Sequence, residues 1–310
     1  MDKYHFTIHL TTYGVLPSVY PRGADTAIGS EAERINSKRN SPSIGEASIL
    51  DITNHQRKRL KHHWIRGYVA RTLKLGWSPE QIAGRLKQLS SGATVSPEAI
   101  YQYVYDPQAR KRIDLVPYLP RRHRKRFFKG HTRKHQKSHI PSRIAITERP
   151  KAVERRKQLG HWEADTMVSR ASLAALSVAA ERKTRMVKIG KLAQRSAPEF
   201  RASLNRRLSR YPQPARRTIT YDNGSENVEH EKVNAVLGTK SFFCNPYHSW
   251  EKGTVENLVG LIRRFLPKKT DLATITASQV RLIERRLNNR PRKCLNYQTP
   301  NEVFLSECCT

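Results

Sequence analysis

His161-Trp162-Glu163-Ala164-Asp165-Thr166-Met167-Val168 is the stretch on which the fold turns. Trp162 to Val168 reads as a strand, with apolar Trp162 and Ala164 alternating with Glu163 and Asp165, and it places Asp165 in mid-strand. Outward from it the alternation repeats. Leu173 to Ala180 reads as a second strand and, after the turn Glu181-Arg182-Lys183-Thr184, Met186 to Leu192 as a third. Ser196 to Ser209 has Phe200, Leu204 and Leu208 on one side of a helix. Arg217 to Tyr221 is a fourth strand, Val228 to Leu237 a short helix and Lys240 to Cys244 a fifth strand. The order β-β-β-α-β-α-β-α predicts an α/β fold, a ribonuclease H-like mixed sheet flanked by helices.

The fourth strand runs into Tyr221-Asp222-Asn223-Gly224. Alone, Asp-Asn-Gly is a turn signal. If the first and fourth strands are neighbours, however, Asp165 and Asp222 emerge at the same end of the sheet, where α/β sites form. A third acid, Glu256, lies in Trp250-Glu251-Lys252-Gly253-Thr254-Val255-Glu256-Asn257. Leu258, Leu261, Ile262 and Phe265 make a helical apolar stripe, and Glu256 falls on the opposite side. Gly260 and Arg263 share its face, leaving room for an ion or backbone and an arginine able to reach a phosphate. Three such carboxylates can hold divalent cations for phosphodiester chemistry. The final helix opens on the capping box Thr276-Ala277-Ser278-Gln279.

Upstream the pattern is helical. Residues 1–50 have few large apolar groups at a regular period after Tyr20 and are expected to be poorly ordered. From about 55, Leu60, Trp64, Tyr68 and Leu75 recur near helical spacing among Arg, Lys and His. Two helix starts follow, Ser78-Pro79-Glu80-Gln81 and Ser96-Pro97-Glu98-Ala99, each with a capping serine, a first-turn proline and a glutamate at the positive end of the dipole. The helices they predict, 79–89 and 97–105, fit a small all-α helix-turn-helix-like domain over 51–106 whose second helix presents Tyr101 and Gln102 to DNA. A generic helical hairpin gives the same signals. The 107–150 segment is a basic linker whose Arg121, Arg122, Arg124, Lys125 and Arg126, with Phe127 and Phe128, suit a phosphate backbone better than a merely solvated run. Residues 151–310 hold the sheet domain.

Composition agrees. Fifty-eight Lys and Arg against 26 Asp and Glu give a formal charge of +32 over 310 residues, spread along the length, and such a field attracts polyanions. No apolar run is long enough to span a bilayer, so nucleic acid is preferred to a membrane as partner. The N-terminus lacks a secretory pattern, so a cytoplasmic location is expected. Cys244, Cys294, Cys308 and Cys309 show no zinc-binding spacing and read as ordinary thiols.

The stretches around Asp165, Asp222 and Glu256, together with Asn245-Pro246-Tyr247-His248-Ser249, Leu266-Pro267-Lys268, Leu287-Asn288-Asn289-Arg290-Pro291, Thr299-Pro300-Asn301-Glu302 and Gly76-Trp77-Ser78-Pro79, resemble bacterial and archaeal DDE transposases of the insertion-sequence-thirty group. The match covers about 55 to 305. The resemblance implies an integrase-type catalytic core in which Asp165, Asp222 and Glu256 are catalytic and bind Mg²⁺ or Mn²⁺, two ions, for DNA cleavage and strand transfer at element ends. It implies double-stranded DNA as partner, contacted also by Lys252 and Arg263, a homo-oligomer on DNA and a nucleoid-associated, prokaryotic setting. Family members open with a further helix-turn-helix that reads the terminal inverted repeat. Residues 1–50 show no such pattern, so a truncated or replaced beginning is expected. The competing readings are a decayed or domesticated DNA-binding repressor and, on the same fold, a nuclease or retroviral-type integrase; the lack of a His-His-Cys-Cys zinc module speaks against the last.

Overall fold

The computed structural model describes residues 60, 62–89, 94–120, 140–246 and 248–308. The 1–50 front and the basic residues Arg121, Arg122, Arg124, Lys125 and Arg126 lie outside them.

The described chain begins with helices α1 (His63–Lys74), α2 (Pro79–Leu89), α3 (Pro97–Tyr105) and the short α4 (Pro107–Arg112). Both serine caps form: Ser78 Oγ accepts from Gln81 N while Gln81 Oε1 accepts from Ser78 N, and Ser96 Oγ accepts from Ala99 N at 3.0 Å. The stripe expected on α1 is turned by one residue. Leu60 is buried as expected, but Trp64 and Leu75 are exposed, and Ile65, Val69 and Leu73 take their place in the core with Ile82, Leu86, Ile100 and Val104. One residue is about 100° of helix. The buried face of α1 is chosen by α2 and α3 packed against it, which spacing within α1 cannot reveal. Tyr101, Gln102 and Tyr105 are exposed on α3.

Residues Arg57–Thr310 form one compact unit. Within it α2 leans on the C-terminal part of the chain. Gly84 faces the ring of Tyr297 so closely that any side chain there would collide with it, Arg85 pairs with Glu302, and Arg290 Nε donates to Gln81 Oε1 at 2.8 Å.

After α5 (Lys151–Arg155) comes the sheet: β1 (His161–Val168), β2 (Ala175–Glu181), β3 (Val187–Leu192), β4 (Thr218–Tyr221) and β5 (Lys240–Phe243), in the spatial order β3-β2-β1-β4-β5. β1, β2 and β3 form an antiparallel meander, and β4 and β5 run parallel to β1. This is the expected ribonuclease H-like mixed sheet, with crossover helices α6 (Ala197–Leu208) and α7 (His230–Leu237). The second strand starts later than its sequence suggests. Leu173 lies in the preceding bend and is 79% exposed.

Each face of the sheet buries one alternate set of side chains. Trp162, Ala164, Ile219 and Tyr221 pack on Phe200, Leu204 and Leu208 of α6. Leu176, Val178, Val187 and Ile189 pack on α8 (Gly253–Ile262) and α9 (Ala277–Asn288). The closing helix α10 (Pro300–Cys308) adds Phe304 beside Trp162, whose indole N–H donates to Ala215 O. Gly160, just before β1, has φ +96 and lies against the backbone of Pro214 and Ala215, a position only glycine fills without strain.

Both edges of the sheet are occupied. At β3, Asn288 Oδ1 accepts from Val187 N and its amide donates to Val187 O, Glu284 Oε2 accepts from Ile189 N, and Arg207 donates to Ile189 O. At β5, Phe243 N donates to Ile144 O.

Candidate active site

The β1–β4 register pairs Glu163 with Thr220. Two residues further along each parallel strand come Asp165 and Asp222, side by side at the carboxyl end of the sheet. Their side chains converge. Lys252 Nζ lies 3.5 Å from Asp165 Oδ1 and 3.5 Å from Asp222 Oδ2, and donates to Ala164 O at 3.3 Å. Asp165 also accepts from Thr166 N, and Asp222 Oδ1 from Asn227 Nδ2 at 2.8 Å. Burial raises the pKa of Asp165 and the neighbouring Asp222 adds to this, while Lys252 opposes both. Burial by itself would lower the pKa of Lys252, but the two carboxylates outweigh it and hold the amine as a cation.

Glu163, two residues before Asp165, is fully buried and fixes the helix that carries the third acid. Its Oε2 accepts from Thr254 N and Val255 N, both at 2.9 Å, and its Oε1 from Arg182 Nη1 at 2.6 Å. A carboxylate thus caps the free N–H groups and positive end of α8. The far end is tied as well, since Arg263 Nη2 donates to Val168 O at 2.8 Å. A second buried carboxylate, Glu226, accepts from Arg195 Nη2 at 2.7 and 2.9 Å and from Thr166 Oγ1 at 2.7 Å, binding the loop after Asp222 to β1.

Glu256 sits exposed in the first turn of α8, and a side chain added at Gly260 would meet open space. The structure therefore brings Asp165 and Asp222 to a common point and leaves Glu256 on the adjacent helix. Among the described residues no group of three or more His, Cys, Asp and Glu is drawn close enough to hold a metal ion. Asp165 and Asp222 are hard oxygen donors of the kind a divalent ion takes, and the position between them holds the Lys252 ammonium.

The residues expected to touch DNA divide. Tyr101 and Gln102 are on the surface. Lys252 is 5% exposed and turned inward, so it has no surface to offer a phosphate; the two carboxylates outcompete solvent for it. Arg263 spends one nitrogen on Val168, and its Nη1 is buried without a hydrogen-bond partner among the described residues.

Sequence reasoning missed Glu163, Arg182, Arg195 and Glu226. The signal for Glu163 was present: a carboxylate between Trp162 and Ala164, on a strand buried on both faces, needs a partner. His161 is also buried, with Nδ1 at 2.9 Å from Thr218 Oγ1 and Nε2 at 3.0 Å from Gln158 Oε1, and burial lowers its pKa to about 4.

No family model matches the chain. It is 39% identical over 255 residues to the transposase for insertion sequence element IS4351 of Bacteroides fragilis, an alignment covering 80% of this chain and 77% of that protein. It is 35% identical over 246 residues to transposase InsI for insertion sequence element IS30A of Escherichia coli (strain K12), covering 77% of this chain and 64% of that one. Among solved structures, the catalytic core domain of BIV integrase aligns with 47% of this chain and 93% of its own at 20% identity and a TM-score of 0.37. No helix among the described residues is long and apolar enough to cross a membrane.

Proposed function

The chain belongs to the IS30-family transposases, and from that premise we propose that Asp165, Asp222 and Glu256 are its catalytic acids, cutting DNA at the ends of an insertion sequence and joining the freed ends to a target. The observation that carries this reading is the meeting of Asp165 and Asp222 around a single cation at the end of parallel strands β1 and β4.

Asp165 and Asp222 would hold a divalent ion, Mg²⁺ or Mn²⁺, with Glu256 as the third donor from α8; the family pattern calls for two ions. Such ions supply the positive charge that activates the attacking hydroxyl and stabilises the oxygen leaving phosphorus. The protein's own part is placement. Glu163 keeps α8, which carries Glu256, on β1, and Glu226 with Arg195 keeps the loop after Asp222 there. Lys252, 3.5 Å from each carboxylate, relieves the repulsion between Asp165 and Asp222. Double-stranded DNA is the partner, met in part by the exposed face of α3 with Tyr101 and Gln102. Joining two element ends calls for a homo-oligomer on DNA.

Asp165→Asn, Asp222→Asn and Glu256→Gln are each expected to reduce Mg²⁺-dependent cleavage of element ends at least about 10²-fold, with DNA affinity and melting temperature retained. A Glu256→Gln protein that cuts at the wild-type rate removes Glu256 from the set. DNA binding without any cleavage by the wild-type chain favours the repressor reading.

A further inference from the structure

The outer edge of β3 carries a concentration of charge that the active site does not use. Two adjoining grooves there, about 550 and 530 Å³, are formed where α6 and α9, from opposite faces of the sheet, meet along the strand. Seven cationic side chains line them, against one carboxylate, Glu284. That carboxylate is already engaged by Lys188 at 3.1 Å, by Arg207 at 3.5 Å and by Ile189 N at 2.8 Å. Lys191 is spent on the carbonyls of Ala273 and Ile275.

Four arginines remain. Arg206 and Arg210 lie four residues apart at the end of α6 and just beyond it, and Arg281 and Arg285 four apart on α9; all four are exposed. Arg281 donates only to Ser278 Oγ, and the other three guanidinium groups have no hydrogen-bond or ion-pair partner among the described residues. Helix dipoles favour a cation in the last turn and so account for Arg206 and Arg285 singly. They do not account for two arginine pairs lining the same groove, an arrangement whose self-repulsion works against the fold.

We propose that this groove is a second DNA-binding surface, distinct from the carboxylate centre, which grips the phosphate backbone of a double helix without reading its bases. The proposal rests on the reading of the chain as a transposase acting on DNA. Each arginine pair spans about one helical turn, 5.4 Å, against about 3.4 Å of axis per phosphate on one strand, so a pair can engage neighbouring phosphates. The lining offers no aromatic ring on which a base could stack and no glycine-rich loop to cradle a nucleotide; its one glycine, Gly190, is closed off by Ser203. Across the sheet, Asp165 pairs with Val178 and Val178 with Ile189. β3, whose outer edge bears the groove, therefore lies about 10 Å, two strand spacings, from the strand of Asp165, so one DNA complex can involve both.

The test uses the full chain and a fluorescent duplex of arbitrary sequence, without divalent ion, titrated over a range of salt. The quadruple variant Arg206→Gln, Arg210→Gln, Arg281→Gln, Arg285→Gln is expected to bind at least about tenfold more weakly near physiological salt. Its slope of log affinity against log salt should be shallower by about 3 to 4. The corresponding Arg→Lys variant keeps the charge and is expected to restore the slope. An unchanged affinity and slope in the Gln variant overturns the proposal, as does a change confined to oligomeric state in sedimentation, which would make the surface a protein interface. If the quadruple variant melts early, the two pairwise variants carry the test, each with a slope change of about 2. Failure of Asp165→Asn to abolish cleavage would strike the catalytic reading and leave this salt slope untouched.

Discussion

The carboxylate centre and the β3-edge groove are both crowded with charge and follow opposite rules. In the centre the buried charges are answered: Glu163 by Arg182 and two backbone N–H groups, Glu226 by Arg195, and Lys252 by Asp165 and Asp222. At the groove, exposed arginines accumulate around one carboxylate that is already taken. The difference follows from solvent. A buried charge without a partner costs several kcal/mol, so the fold answers it. An exposed one costs little and can be left for a ligand to answer.

The largest expected effect tests the first half of that contrast. Glu163→Ala leaves Arg182 buried without its carboxylate and uncaps α8, and should cost about 3 to 5 kcal/mol in denaturant unfolding; a loss under about 1 kcal/mol would show that the clamp is not structural. A middle effect comes from His161. The unfolded chain takes up a proton below the ordinary value of 6.5, while the folded chain stays neutral to about 4. Protons are thus gained first by the unfolded state, and the stability that is complete above 6.5 should fall by up to about 3 kcal/mol on acidification to 4. His161→Asn should flatten that part of the pH profile, and an unaltered profile would sink the assignment. The smallest effect belongs to the groove: Arg206→Gln with Arg285→Gln should change unfolding free energy by no more than about 0.5 kcal/mol. A loss comparable to that of Glu163→Ala would erase the distinction between the two regions.

Much of this was legible in the chain. The caps at Ser78, Ser96 and Thr276 mark helix starts because capping is local chemistry, and the strands expected over Trp162–Val168 and Met186–Leu192 form, with apolar neighbours on their faces. The misreadings are non-local. The face of α1 is set by α2 and α3, the inward turn of Lys252 by acids on β1 and after β4, and the clamp at Glu163 by amides on α8, far along the chain. Lys252 and its acids, and Glu163 and the α8 amides, stand at least 30 positions apart (252 − 222), beyond any local window.

Side chains, rather than a further strand, satisfy the outward-facing backbone groups of β3 at Val187 and Ile189. An extended peptide seeking to lengthen the sheet would therefore have to displace Asn288, Glu284 and Arg207 together. That protects the folded chain from edge-to-edge aggregation, and it means that copies assembling through this edge must do so by side-chain contact or across a shared polyanion rather than by a continuous sheet.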